Sequence, residues 1–337
     1  MKSAVLFGLA ALAAAAARPG GPADPVPRIV GGRLADGDEF RSAAFIWMLN
    51  AADPGGYVCT GSLIAPGAVL TSAYCLHRNG TATYAASEIT VKLNHTAPDL
   101  SEEKVAGGLA VSRTVIHPGF NATTLANDIA LLILGKPADD VAPIKIYDGS
   151  YTAGMPVRAA GFGITKATDP NSLAPQLLVV DMAVGPASLC KKASPGYNPK
   201  TQICTDGTES KATCLGDNGG PLATPNGSGY ALLAVTSHGP GDAGDAGSAC
   251  GAKGTTGIYT YVAPYLSWIA KNANLKTSDI SETPIPVPDG DGGSSSTSST
   301  ESSDDGGGSS ESGAATVVHT GLATAAGAAV IAAALLL

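Results

Sequence analysis

The stretch that most constrains the fold is Lys211-Ala212-Thr213-Cys214-Leu215-Gly216-Asp217-Asn218-Gly219-Gly220-Pro221-Leu222. It reads as Cys-x-Gly-Asp, one residue, then Gly-Gly-Pro-Leu. The residue in the gap is Asn218, a carboxamide whose nitrogen lone pair is delocalised, so no base turns it into an alkoxide equivalent. Other short motifs precede it in order: Arg28-Ile29-Val30-Gly31-Gly32, Cys59-Thr60-Gly61-Ser62-Leu63-Ile64-Ala65, Thr71-Ser72-Ala73-Tyr74-Cys75, Asn127-Asp128-Ile129-Ala130-Leu131-Leu132 and Ala159-Ala160-Gly161-Phe162-Gly163. Between and after them lie β-rich apolar runs. Ala44–Leu49 is followed by a Gly55-Gly56 turn, and Tyr259–Val262 gives a last strand before a helix with Tyr265, Leu266, Trp268 and Ile269 on one face.

Taken together, these motifs resemble the trypsin/chymotrypsin serine proteases (peptidase S1) over residues 29–275. The resemblance implies an all-β fold of two six-stranded antiparallel Greek-key barrels with a short C-terminal helix. It also assigns roles residue by residue. Asn218 stands where the family has its nucleophilic Ser, and Tyr74 where it has the His that acts as general base. Asp128 matches the third triad position, and Gly216 and Asn218 belong to the loop whose N–H groups form the oxyanion hole. A phenol with a pKa near 10 keeps its proton at neutral pH and is a poor acceptor for a hydroxyl proton. The other histidines near these motifs, His77, His95 and His117, fall in places that do not restore a base. The resemblance is thus to a catalytically inactive homologue, similar in kind to the glucanase inhibitor proteins that oomycetes secrete, which keep the fold with the triad broken and act by binding a host hydrolase. Two other readings stand beside it: an active extracellular serine endopeptidase, and a wall-associated adhesive surface protein.

The same carry-over implies three disulfides, Cys59 with Cys75, Cys190 with Cys204 and Cys214 with Cys250. Residues alone leave the pairing of the six cysteines open. Cleavage between Arg28 and Ile29 would free an ammonium that pairs with Asp217, a buried latch costing roughly 3–5 kcal/mol to break by loss of one partner. The primary specificity pocket has Ala212 at its base, Ser237-His238-Gly239 along one wall and Gly257 opposite. Ala212 offers no counter-charge to a Lys or Arg side chain, and His238 replaces a large aromatic.

Residues 1–17 read as a secretory signal peptide, with Lys2 ahead of an apolar core and small residues at its end; a buried helix is the alternative. Residues 18–28 are a Pro- and Gly-rich propeptide or spacer. Export permits disulfides. Beyond the domain, residues 276–313 read as a disordered Ser/Gly/Asp-rich stalk, and residues 314–337 as an apolar, uncharged tail fitting a GPI-attachment signal. A single transmembrane helix and a tail without anchoring role are the alternatives. Sequons start at Asn79, Asn94, Asn121 and Asn226, all in stretches that read as loops. A net charge of −8 argues against nucleic acid as a partner. The expected partner is a protein, an extracellular hydrolase among the candidates, met in the secreted or surface-anchored state. The motifs call for no cofactor and no metal.

Overall fold

Runs such as Phe45-Ile46-Trp47-Met48 are apolar at every position, so a strand built from them needs cover on both faces. The computed structural model supplies it. Phe45 and Trp47 join one buried cluster with Leu70, Leu131, Phe162, Val235 and Ile269, while Ile46 and Met48 join another with Leu63, Val69, Leu132 and Leu134. The second cluster is the inside of a closed barrel. The first is the layer between that barrel, a second sheet and the C-terminal helix. A side-chain period of two along each strand sorts the same apolar run into both layers. Phe45 and Phe162 meet edge to face across the inter-barrel layer, with ring centroids 5.5 Å apart.

The structure describes residues 29, 31–50, 53–78, 82–94, 107–164, 172–174, 176–207, 211–239, 250, 252 and 254–285. The expectations for residues 1–28 including Arg28, for Asn79, for His95, for the stalk beyond Ile285 and for the tail lie outside them.

The closed barrel runs β2 (Ala43–Asn50), β3 (Asp53–Ala65), β4 (Ala68–Thr71), β7 (Ala130–Leu134), β6 (Leu109–Ile116) and β5 (Ile89–Lys92), all neighbours antiparallel. The second sheet is ordered β1 (Arg33–Leu34), β10 (Leu178–Ala183), β9 (Pro156–Gly161), β12 (Pro221–Asn226), β13 (Gly229–His238), β14 (Ile258–Tyr261) and β11 (Gln202–Cys204). Two short strands extend it in parallel: β8 (Ile146–Tyr147) pairs with β13, and β15 (Ser281–Glu282) with β8. The expectation of two six-stranded barrels is therefore met by one closed ring and one nine-stranded sheet. The three additions are β1 just after Ile29, β8 from the middle of the chain and β15 near the end of the described chain.

Three disulfides join Cys59 to Cys75, Cys190 to Cys204 and Cys214 to Cys250, closing loops of 16, 14 and 36 residues. Loop closure of that size restricts the unfolded chain by about 3–4 kcal/mol each. Cys190 is carried by helix α1 (Ala187–Ala193). An ion-pair chain fixes the start of the domain: Arg33 grips Glu39 with both guanidinium ends at 2.8 and 3.0 Å, and Arg158 bridges Glu39 and Asp181. The Arg158 guanidinium lies 5.0 Å over the Tyr230 ring.

Helix α2 (Leu266–Ala273) stops at Asn274, which takes the left-handed conformation with φ 56°. Leu275 is not the end of the fold, as its sequence suggests. One turn of helix, α3 (Thr277–Ile280), places Ile280 fully buried in the inter-barrel cluster, and β15 then pairs with β8. The described part of the expected stalk, residues 276–285, is thus held to the domain. The polar composition of the segment hides this, because one apolar side chain, a short strand pairing and a few hydrogen bonds, some of them to side chains, do the holding.

Ile280→Ala should destabilise the domain by about 2–5 kcal/mol, as loss of a fully buried branched side chain does. Truncation after Leu275 should cost at least as much; urea unfolding followed by fluorescence measures both, and an unchanged midpoint in either would place the domain boundary back at Leu275.

Candidate functional site

The loop 214–221 is wedged between the barrel and the sheet. From the barrel, Thr60 does most of the holding: its N–H donates to Asn218 O at 2.9 Å, and its hydroxyl donates to Gly216 O at 2.9 Å while accepting the Phe162 N–H at 3.2 Å. From the sheet, Gly219 N–H donates to Thr236 O at 2.7 Å. The approach is so close that a Cβ on Gly219 would lie 2.0 Å from Thr71 Oγ1 and 2.2 Å from Thr60 O, and its φ of 84° suits only glycine.

Asp217 is fully buried beneath this loop. Its two carboxylate oxygens accept the N–H groups of Gly163 and Cys214, each at 2.8 Å. A Cβ on Gly161 would lie 2.1 Å from Asp217 Oδ1, which explains why the strand end reads Gly-Phe-Gly. Ile29 is 1% exposed and packs with Val157, Ala159 and Leu178, so the residue after Arg28 has its side chain inside the second sheet's core.

Asp128 is also fully buried, just before β7. Oδ1 accepts the backbone N–H of Tyr74 at 2.7 Å, and Oδ2 accepts the hydroxyl of Ser237 at 2.6 Å. The Tyr74 contribution given by geometry is thus its main chain, on the short 3-10 turn Tyr74–Leu76. A buried carboxylate is tolerated when charge-assisted donors replace water, and these two do so.

Asn218 is 1% exposed. Its Nδ2 donates to Ser237 O at 2.8 Å, and its Oδ1 has no hydrogen-bond partner among the described residues. A buried acceptor left without a partner costs about 1–3 kcal/mol. The N–H groups of Gly216 and Asn218 likewise donate to nothing among the described residues.

His238, read from sequence only as a lost aromatic, belongs to the same network. Its Nδ1 lies 3.1 Å from Ser237 Oγ. Since the Ser237 proton goes to the Asp128 carboxylate, Nδ1 must carry the hydrogen of this contact and Nε2 is the bare nitrogen. Burial pushes the imidazole pKa down to about 4, so the ring is neutral at pH 7. The structure thereby brings Asp128, Ser237, His238, Asn218 and the Tyr74 backbone into one hydrogen-bonded group. His77 instead packs against Phe120, and His117 against Tyr265 and Trp268.

Of the residues expected at a specificity pocket, Ala212 is buried. Gly239 and Gly257 flank the register pair His238 and Ile258 of β13 and β14. Two residues that no motif singles out line the neighbourhood: Thr213 Oγ1 lies 3.3 Å from the Tyr259 hydroxyl, and a Cβ on Gly257 would meet that hydroxyl at 3.0 Å. Burial pushes the Tyr259 phenol up to about 12, so it stays protonated. Ala212, Thr213 and Tyr259 thus contribute a methyl and two hydroxyls here.

The His238 pKa gives a stability signature. Unfolded, the ring takes a proton near pH 6.5; folded, it does so only near 4, so stability is full above 6.5 and falls as pH drops towards 4. The loss is on the order of 3 kcal/mol over that window. His238→Gln should flatten this part of the urea-midpoint profile relative to wild type; identical slopes in both would show that His238 is solvated in the folded state.

Comparison with known proteins agrees with this architecture. The family model described as Trypsin matches residues 29–269. Trypsin alpha of Drosophila erecta is 30% identical over 249 residues, covering 72% of this chain and 88% of that protein. Trypsin I-P1 of Gallus gallus is 34% identical over 223 residues, covering 64% and 79%. The CLIP domain-containing serine protease B4 of Anopheles gambiae is 29% identical over 272 residues, covering 73% and 70%. With a closed barrel joined to a second β-sheet, the three disulfides and a family match over most of the folded region, the chain belongs to the trypsin family.

Proposed function

We propose that the protein is a trypsin homologue that has lost proteolysis and acts by binding a protein partner, an extracellular hydrolase being the partner class that fits best. One observation carries the reading: the position between Asp217 and Gly219 holds a carboxamide whose nitrogen is committed to the Ser237 carbonyl. Tyr74 stands at the matching base position, and its backbone rather than an imidazole meets Asp128. Where protease triads have been dissected, losing the nucleophile or the base alone lowers turnover roughly a million-fold, and losing both lowers it little further. From a typical turnover of about 10 per second, that leaves on the order of one event per day or slower. What stays available is recognition. The N–H groups of Gly216 and Asn218 and the uncharged pocket around Ala212, Thr213 and Tyr259 suit binding without turnover.

In this reading the chain is exported by residues 1–17. Cleavage after Arg28 frees Ile29 to pair with Asp217, and a GPI signal in residues 314–337 holds the protein at the cell surface. The relatives named trypsins favour the second reading, an active serine endopeptidase. Labelling of the full chain by a fluorophosphonate probe, with turnover of a mixed peptide library, separates the two. Native protein should be silent and the Tyr74→His, Asn218→Ser double variant reactive. Labelling or turnover by the native protein would establish the endopeptidase.

A further inference from the structure

Asn226 ends β12 and begins the sequon Asn226-Gly227-Ser228. It does not lie in an open loop, as the sequence suggests. The contrast with the sequon at Asn121 is instructive. There the residue is exposed, its Oδ1 accepts the N–H groups of Thr123 and Thr124 at 2.9 Å each, and its Nδ2 donates to nothing among the described residues. At Asn226 both ends of the carboxamide are engaged. Nδ2 donates to Glu282 Oε1 at 2.8 Å and reaches Thr283 O at 3.4 Å, Oδ1 accepts the Ile285 N–H at 2.6 Å, and the residue is 6% exposed. Neighbouring backbone bonds complete the seat: Gly227 N–H donates to Ile285 O at 3.3 Å, and Asp148 N–H to Glu282 O at 2.9 Å.

Attaching a glycan would replace one Nδ2–H by a bond to a bulky sugar. That removes a donor from Glu282 and Thr283, and it places the sugar where residues 283–285 sit. Glycan and strap therefore compete for one nitrogen. We propose that Asn226 stays unmodified in the folded protein and serves as the receptor for the C-terminal strap Ser281–Ile285. The strap lies on β8, whose Ile146 pairs with Leu232 of β13, the strand that ends at Ser237 and His238. The docked carboxamide thus fixes where the chain leaves the domain and ties that exit to the strand lining the candidate site.

The test uses the full chain from a eukaryotic secretory host. Glycopeptide mass spectrometry should find a glycan at Asn121 and none at Asn226. Amide hydrogen exchange over Ser281–Ile285 is then compared between wild type and three variants. Asn226→Asp keeps the size and the acceptor for Ile285 but sets a carboxylate against Glu282, so strap exchange should accelerate by about tenfold or more. Glu282→Ala breaks the same bond from the strap side and should accelerate exchange as well, which covers failure of the first variant to fold. Ser228→Ala abolishes the sequon without touching the carboxamide and should leave exchange unchanged. A glycan on Asn226 in the secreted protein, or unaltered strap exchange when the Asn226–Glu282 bond is broken, would overturn the proposal.

Discussion

The site hangs on the seam where the loop 214–221 is pinned between two β-units. Thr60 supplies three of the bonds across it: its amide to Asn218 O, its hydroxyl to Gly216 O, and the same hydroxyl to the Phe162 N–H. The loop is rich in glycine and carries a buried carboxylate, so it has many backbone dipoles and little apolar surface of its own. Such a segment stays ordered when most of its polar groups find partners, here partly within the loop and partly from outside. Strand β3 meets it on one side, and Gly163 and Thr236 meet it on the other. The glycines are the geometric condition for that approach, because a Cβ on Gly219 or Gly161 would overlap atoms of the opposing strand or of Asp217.

The bonds that Thr60, Gly163 and Thr236 make across this seam are independent of the side chains at positions 74 and 218, for a physical reason. The buried Asp128 carboxylate draws its donors from the Tyr74 backbone and the Ser237 hydroxyl, neither of which requires an imidazole. The position of Asn218 is likewise held by its backbone, and its side chain merely folds onto the nearest free carbonyl. Fold and side-chain chemistry are therefore separable at this site: the bonds that keep the loop in place do not depend on which side chains stand at positions 74 and 218. His238 takes the remaining contact on Ser237, and its low pKa follows from the same burial.

The C-terminal strap shows how few contacts convert a polar segment into part of a domain. Ile280 fills the inter-barrel layer, β15 adds a short parallel pairing, and one carboxamide binds both a side chain and a backbone amide of the strap. The composition of Thr277–Ile285 is mostly polar, and only Ile280 and Ile285 set it apart from the Gly- and Ser-rich chain that follows.

The sequence by itself determined the family, the all-β frame, the disulfide partners once the family was recognised, and which residues, Tyr74 and Asn218, stand within the two motifs. These are matters of residue identity within short motifs, and apolar runs that alternate between two layers are legible from their own order. Only the tertiary structure decided which donors satisfy Asp128, where the Asn218 amide turns, that His238 joins their network, and that Asn226 holds the strap. Most of these bonds join residues far apart in the chain, 54 positions for Tyr74 and Asp128, 109 for Asp128 and Ser237, 59 for Asn226 and Ile285, and the adjacent pair Ser237 and His238 is drawn in through Asp128. A polar side chain takes whichever partner the packed backbone brings within reach, and no local pattern encodes that choice.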